Sequence, residues 1–319
     1  MKKPIVLQRA DPWVYLHSDG YYYFTGSVPG YQEIEIRRAK ELTELETTHE
    51  KMNVWHAHES GLQSKLIWAP ELHFINNKWY IYFAASDDEY RRDLEHHHRI
   101  FVLECSKSDP LTTSWEEKGQ IITKKENFSL DATTFCVEDE QYLVWAEKDE
   151  EIDRAIGSSS NIYLSKMANP WTLKGSEMLL SVPEYDWERV TYPVNEGPAV
   201  IIHEKKIFIT YSASATDENY AMGLLWADYS SNLLDKNSWK KAKKPVFKSS
   251  EQNQLFGPGH NSFTMSRDGK TDLLIYHARP YDNRGIEGDS LANPDRHAYV
   301  QQFAWDQKGF PIFGKPGDK

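Results

Sequence analysis

Three carboxylates stand just ahead of apolar or aromatic runs: Asp11 in RADPW, Asp131 in SLDATT and Glu196 in VNEGPA. A lone acid in such a place is an ordinary turn residue, and most of the chain's 48 acids must be solvated. Three at one recurring offset point to chemistry instead. Glycoside hydrolysis needs two carboxyl groups around a pocket, one to protonate the leaving oxygen and one to activate water or attack the anomeric carbon. The other use of clustered carboxylates is a hard cation site, with calcium favoured by oxygen ligands. His260, in GPGHNS, occupies a related place but is a poor first ligand for calcium on hardness alone.

The elements that position these residues recur five times. ADPWVYLHSDGYYYF, WAPELHFINNKWYIYF, LDATTFCVEDEQYLVW, NEGPAVIIHEKKIFITY and GHNSFTMSRDGKTDLLIYH each read as a strand, a polar turn and a second strand closing on a ring. A third strand follows each: EIEIRRA, RIFVLECS, SNIYLSK, MGLLWAD and HAYVQQFAW. Units this small bury both faces only by packing radially, so the sequence predicts an all-β, five-bladed β-propeller with residues 1–319 as one domain. The first strand of each blade lines the central channel. Counting back about 13 to 17 residues from each closing ring, Phe24, Phe83, Trp145, Tyr211 and His277, reaches Asp11, the Trp68–Pro70 stretch, Asp131, Glu196 and His260. The charged stretch at 86–100 reads as an insertion in the second unit. Its histidines, His96 to His98, read as a solvated loop because no carboxylate or cysteine stands at ligand spacing. The strand-like PIVLQ near the N-terminus is a candidate to join the last blade.

Composition bounds the partners. The net charge of −11 argues against nucleic acid and anionic membranes and favours a small, neutral oligosaccharide, while oligomeric state is left open. MKKPIVLQRADP has neither the apolar core of a signal peptide nor a membrane span, so the expected location is cytoplasmic. Cys105 and Cys136 then read as small buried side chains.

The motifs ADPWVY, KLIWAPELHFINNKWYIYFAAS, SLDATTF, PVNEGPAVIIHEKKIFITYSAS and GPGHNSF, in that order across nearly the whole chain, resemble glycoside hydrolase family 43. Within that family the likeness is to single-domain, exo-acting α-L-arabinofuranosidases. It implies a five-bladed propeller and an inverting reaction, with Asp11 as general base, Glu196 as general acid and Asp131 orienting the acid and tuning its pKa. It also implies a structural calcium or other cation in the channel near His260, with no cofactor required for the chemistry. The length leaves no room for the β-sandwich that accompanies many xylan-directed members.

Further candidates surround the trio. Trp68 offers an aromatic face to a sugar ring. Arg279 can donate to sugar hydroxyls or hold a carboxylate. Glu147 can accept from a hydroxyl, and His56 and Glu59 can shape the rim. The VWHAHES segment departs from the basic residue expected there, which touches specificity on the leaving-group side before it touches the trio. The expected activity is release of terminal α-L-arabinofuranosyl units from arabino-oligosaccharides. The alternatives are β-xylosidase or endo-arabinanase activity on the same frame, or a non-catalytic sugar-binding propeller.

Overall fold

The computed structural model describes residues 3–87 and 97–318. Most of the insertion singled out in the sequence, residues 88–96 with His96, lies outside them.

Five antiparallel sheets follow one another along the chain. Blade 1 holds β1 (Ala10–Leu16), β2 (Tyr22–Ser27), β3 (Glu33–Ala39) and β4 (Lys51–His56). Blade 2 holds β5 (Lys65–Ile75), β6 (Lys78–Ser86), β7 (Arg99–Cys105) and β8 (Glu116–Gln120). Blade 3 holds β9 (Ser129–Val137), β10 (Glu140–Glu147), a seven-residue helix α1 (Glu150–Ile156), β11 (Asn161–Asn169) and β12 (Thr172–Ser181). Blade 4 holds β13 (Asn195–His203), β14 (Lys206–Ala213), β15 (Ala221–Asp228) and β16 (Lys240–Lys241). Blade 5 holds β17 (Phe256–Met265), β18 (Asp272–Arg279) and β19 (His297–Gln302), followed by the small hairpin β20 (Ala304–Trp305) and β21 (Pro311–Ile312). The first strands β1, β5, β9, β13 and β17 touch in a closed ring around the axis, as a five-bladed β-propeller requires.

The aromatic residues of the second strands explain the packing. Trp79, Trp145, Tyr82, Phe83 and Tyr211 are fully buried, and they fill the wedges between neighbouring sheets. Truncating such a ring to alanine costs about 3–5 kcal/mol, so these layers fix the angle at which each inner strand meets the axis. The N-terminal PIVLQ segment completes the ring. Ile5 N–H donates to Ala298 O (2.7 Å) and Ala298 N–H donates to Val6 O (2.9 Å), adding a short outer edge to β19. Cys105 is buried as expected, but Cys136 is exposed, because its side chain points away from the blade core on an alternating strand; both thiols are free.

One backbone device repeats in all five inner strands. Each carries a bulge where its pairing with the second strand slips: Ala10–Trp13, Trp68–Glu71, the 130–133 step of β9, Glu196–Ala199 and Gly259–Ser262. At each bulge one residue takes a left-handed conformation: Asp11 (φ 54°), Ala69 (45°), Asp131 (55°), Gly197 (54°) and His260 (37°). The bulge bends the strand at the mouth of the channel and re-aims the side chains on either side of it. Non-glycine residues held left-handed cost energy that the packed blades must over-determine, and such positions cluster at functional sites.

Candidate active site

The five bulges meet at one end of the channel, beneath a cavity of about 670 Å³ whose wall includes Asp11, Trp68, Asp131, Glu196, Tyr220, His260 and Arg296. Asp11, Asp131 and His260 occupy equivalent left-handed positions in blades 1, 3 and 5. Glu196 stands one residue earlier in its blade, and Gly197 takes the bulge position. Only glycine fits there comfortably: a Cβ on Gly197 would lie 3.0 Å from His260 Cγ. The acid is therefore displaced by one step from its apparent repeat mates.

Asp11 is gripped on every side. Ser27 Oγ donates to its Oδ2 (2.5 Å), and Ala69 N–H donates in turn to Ser27 Oγ (2.9 Å). His260 Nδ1 lies 3.3 Å and Arg296 Nη1 3.7 Å from Asp11 Oδ1. Burial alone would raise the pKa of Asp11, but the charge and hydrogen bond of His260, with the charge of Arg296, hold it well below the usual carboxylate range. Its ionised form is favoured. Its own N–H donates to His277 Nδ1 (3.1 Å), which leaves that imidazole neutral; burial first and Arg296 second keep its pKa well below the ordinary value.

The opposite wall has the reverse bias. Glu196 accepts from the Tyr220 hydroxyl (2.8 Å) and has no cation within ion-pairing distance among the described residues. Burial first and the charge of Asp131 second push its pKa up to about 7. Asp131 is itself raised, to about 6, by burial and by Asp11, against the pull of His260 3.8 Å away. Its Oδ2 accepts from Gly197 N–H (2.9 Å), so it holds the backbone that carries Glu196. His260 faces both Asp11 and Asp131; burial opposes its charge, but the two carboxylates raise it to about 10 and keep it an imidazolium. One ionised carboxylate and one protonated carboxyl in a single cavity can serve as base and acid.

The other expected residues are distributed differently. Trp68 lines the cavity, although His98 stacks on its ring (centroids 3.9 Å apart) and takes one face. Glu147 is fully buried, accepting from Thr123 Oγ1 (2.6 Å) and Trp145 Nε1 (2.9 Å), so it braces blade 3 behind the cavity wall. Arg279 is also buried. It donates to the carbonyls of Thr216 (2.5 Å) and Ser290 and to Asn293 Oδ1 (3.1 Å), so it supports two wall residues from behind. His56 ends β4, the outermost strand of blade 1, and Glu59 lies in the bend that follows it; both are exposed and outside the cavity wall. Among the described residues no three His, Cys, Asp or Glu side chains converge as metal ligands, so the donors around His260 do not by themselves make a cation cage. Sequence reading missed Ser27, Tyr220, His277 as a partner of Asp11, and Arg296. The last is buried and donates to Tyr31 Oη (3.2 Å) and Leu291 O (3.1 Å). None of them sits in a motif that announces the role.

Residues 1–311 match the family model described as glycosyl hydrolases family 43. An extracellular exo-α-(1→5)-L-arabinofuranosidase of Streptomyces avermitilis is 49% identical over 98% of this chain and 63% of its own length. A protein of the same name from Streptomyces chartreusis is 49% identical over 90% of this chain and 84% of its own. The crystal structure of an α-L-arabinofuranosidase from Lactobacillus brevis superposes with a TM-score of 0.94 at 51% identity, covering 98% of this chain and 96% of that one. The chain thus spans less than two thirds of the Streptomyces avermitilis relative. Both Streptomyces relatives are named extracellular, which overturns the cytoplasmic expectation. An acidic surface and two unpaired thiols are compatible with either side of a membrane and never decided the matter.

Proposed function

The chain belongs to glycosyl hydrolases family 43, and on that premise we propose that it is an exo-acting α-L-arabinofuranosidase that releases terminal arabinofuranosyl units from arabino-oligosaccharides by single displacement. The observation that carries the reading is the opposed setting of two carboxyl groups in one cavity: Asp11 held by Ser27, His260 and Arg296, which favour its ionised form, and Glu196 met by Tyr220 and set near Asp131, where burial and charge favour its protonated form.

In the proposed reaction the sugar ring fills the cavity floor. Glu196 gives its proton to the glycosidic oxygen as the bond breaks, and Asp11 takes a proton from the water that attacks the opposite face of the anomeric carbon. Inversion follows if the two carboxyl groups leave room for that water, roughly 6.5–9.5 Å. Asp131 positions the acid through Gly197 and discourages its ionisation by charge. His260 and Arg296 keep the base ionised. A channel cation has no part in this proposal.

The test is hydrolysis of p-nitrophenyl α-L-arabinofuranoside beside the β-D-xylopyranoside. Turnover dominated by the arabinoside supports the reading, preference for the xyloside moves the same acid–base frame to β-xylosidase activity, and no turnover of either abandons it.

A further inference from the structure

We propose that Tyr220 is a positioning residue for the general acid, fixing which oxygen of Glu196 carries the proton that is given to the leaving group. The inference rests on the arabinofuranosidase reading above and adds a residue to it.

Tyr220 precedes β15 and is almost wholly buried, with its hydroxyl 2.8 Å from Glu196 Oε1. The phenol cannot swing away. Its ring stacks in parallel on His277 (centroids 5.6 Å apart, planes at 7°), and on Gly259 the absence of a side chain makes room for it. A Cβ there would stand 2.4 Å from Tyr220 Cδ1 and Cε1. The glycine that precedes His260 thus serves blade 4's tyrosine as well as its own strand. The same His277 accepts from the backbone of Asp11, so one imidazole is in contact with both the base's main chain and the acid's tyrosine.

The chemistry follows from donor counting. Among neutral carboxylic acids one oxygen carries the proton and the other only accepts. Burial, with the charges of Asp131 and Asp11 nearby, keeps the Tyr220 phenol protonated at any working pH, so it can donate. A hydroxyl donating to Oε1 makes Oε1 the acceptor and leaves the proton on Oε2. Without it, the proton is free to sit on either oxygen, and only one of the two arrangements faces the glycosidic oxygen.

An acid's contribution grows as the leaving group becomes poorer, which provides a readout that a purely structural role would not move. The kinetics of wild type, Tyr220→Phe, Glu196→Gln and the double variant are compared on arabinobiose, a poor leaving group, and on 2,4-dinitrophenyl α-L-arabinofuranoside, which needs little acid help. Tyr220→Phe is expected to lower kcat on arabinobiose by roughly 10- to 100-fold and on the aryl substrate by less than about 3-fold, with KM within about 2-fold. The double variant should be no slower than Glu196→Gln alone, because the two residues act as one unit. Equal losses on both substrates, a rise in KM with unchanged kcat, or additive losses in the double variant would overturn the inference while leaving the function intact. Absence of wild-type turnover on both substrates would overturn function and inference together.

Discussion

Glu188 and Glu196 lie eight residues apart, and both accept a hydrogen bond from a tyrosine, Tyr211 at 2.7 Å and Tyr220 at 2.8 Å. Their surroundings otherwise differ in every respect. Glu188 meets Lys241 Nζ at 2.8 Å, Asn195 Nδ2 at 3.2 Å and the N–H groups of Glu184 and Tyr185 at 2.8 and 2.9 Å. Its charge is saturated. Among the described residues Glu196 has one hydrogen bond, from the tyrosine, and the repelling charge of Asp131 acts on it more strongly than the attracting charge of His260. The same residue type, fully enclosed at Glu188 and facing the cavity at Glu196, becomes a structural tie in the first case and a carboxyl group biased towards its protonated form in the second. Burial permits either outcome, and the partners decide which one results.

The sharpest way to break this contrast is to remove the proton donor. Glu196→Gln should lose roughly 10²- to 10⁴-fold in kcat on arabino-oligosaccharides while keeping the far-UV circular dichroism of the wild type. If Glu188→Gln caused the same loss in a folded protein, the division between the two acids would be wrong. The complementary change is Lys241→Met, which leaves the Glu188 carboxylate buried without its cation. Urea unfolding should show about 3–5 kcal/mol of lost stability, with kcat at low temperature close to the wild-type value. Asp131→Asn removes the second-largest cause of the raised Glu196 pKa, burial being the first. The alkaline limb of kcat/KM should move to lower pH, together with a loss of rate from the disturbed Gly197 contact.

The smallest effect concerns stability. A carboxyl group whose folded pKa is raised binds its proton more tightly in the native state, so its favourable contribution is full below the unfolded value of 4.5 and is lost as pH rises through about 7. Glu196→Gln removes that dependence. Its melting temperature should exceed the wild-type value by a few degrees at pH 8 and differ little at pH 4, whereas Glu188→Gln should lower it at both.

Much of this was visible in the sequence. The closing aromatic rings marked the second strands because a wedge between sheets needs large apolar volumes at fixed intervals, and the five-fold repeat follows from them. Asp11, Asp131 and Glu196 were visible because each stands where a polar turn gives way to a buried strand. The one-residue displacement of Glu196 was not visible. A bulge adds a residue to one strand without altering its composition, and the turns between first and second strands differ in length, from Ile75–Lys78 to Met265–Asp272, so counting back from the rings gave a range of offsets and not one value. Arg279, Glu147, His56 and Glu59 lie close in sequence to strands that reach the axis or its rim. Nearness along the chain says nothing about which side of a sheet a side chain takes, or how far from the axis its strand lies. Arg296, Ser27 and Tyr220 reach the site through contacts between distant segments: Arg296 with Asp11 across 285 positions, Ser27 with Ala69 across 42 and Tyr220 with Glu196 across 24. No local pattern encodes such meetings.

The measurement that bears most directly on the opposed carboxyl groups is the pH dependence of kcat/KM on arabinobiose for the wild type, with Glu196→Gln followed on the dinitrophenyl arabinoside. Ionisation of Glu196 predicts a wild-type alkaline limb near pH 7 that is absent from the variant. A limb that persists unchanged in Glu196→Gln would assign the titrating acid to another residue and contradict the account.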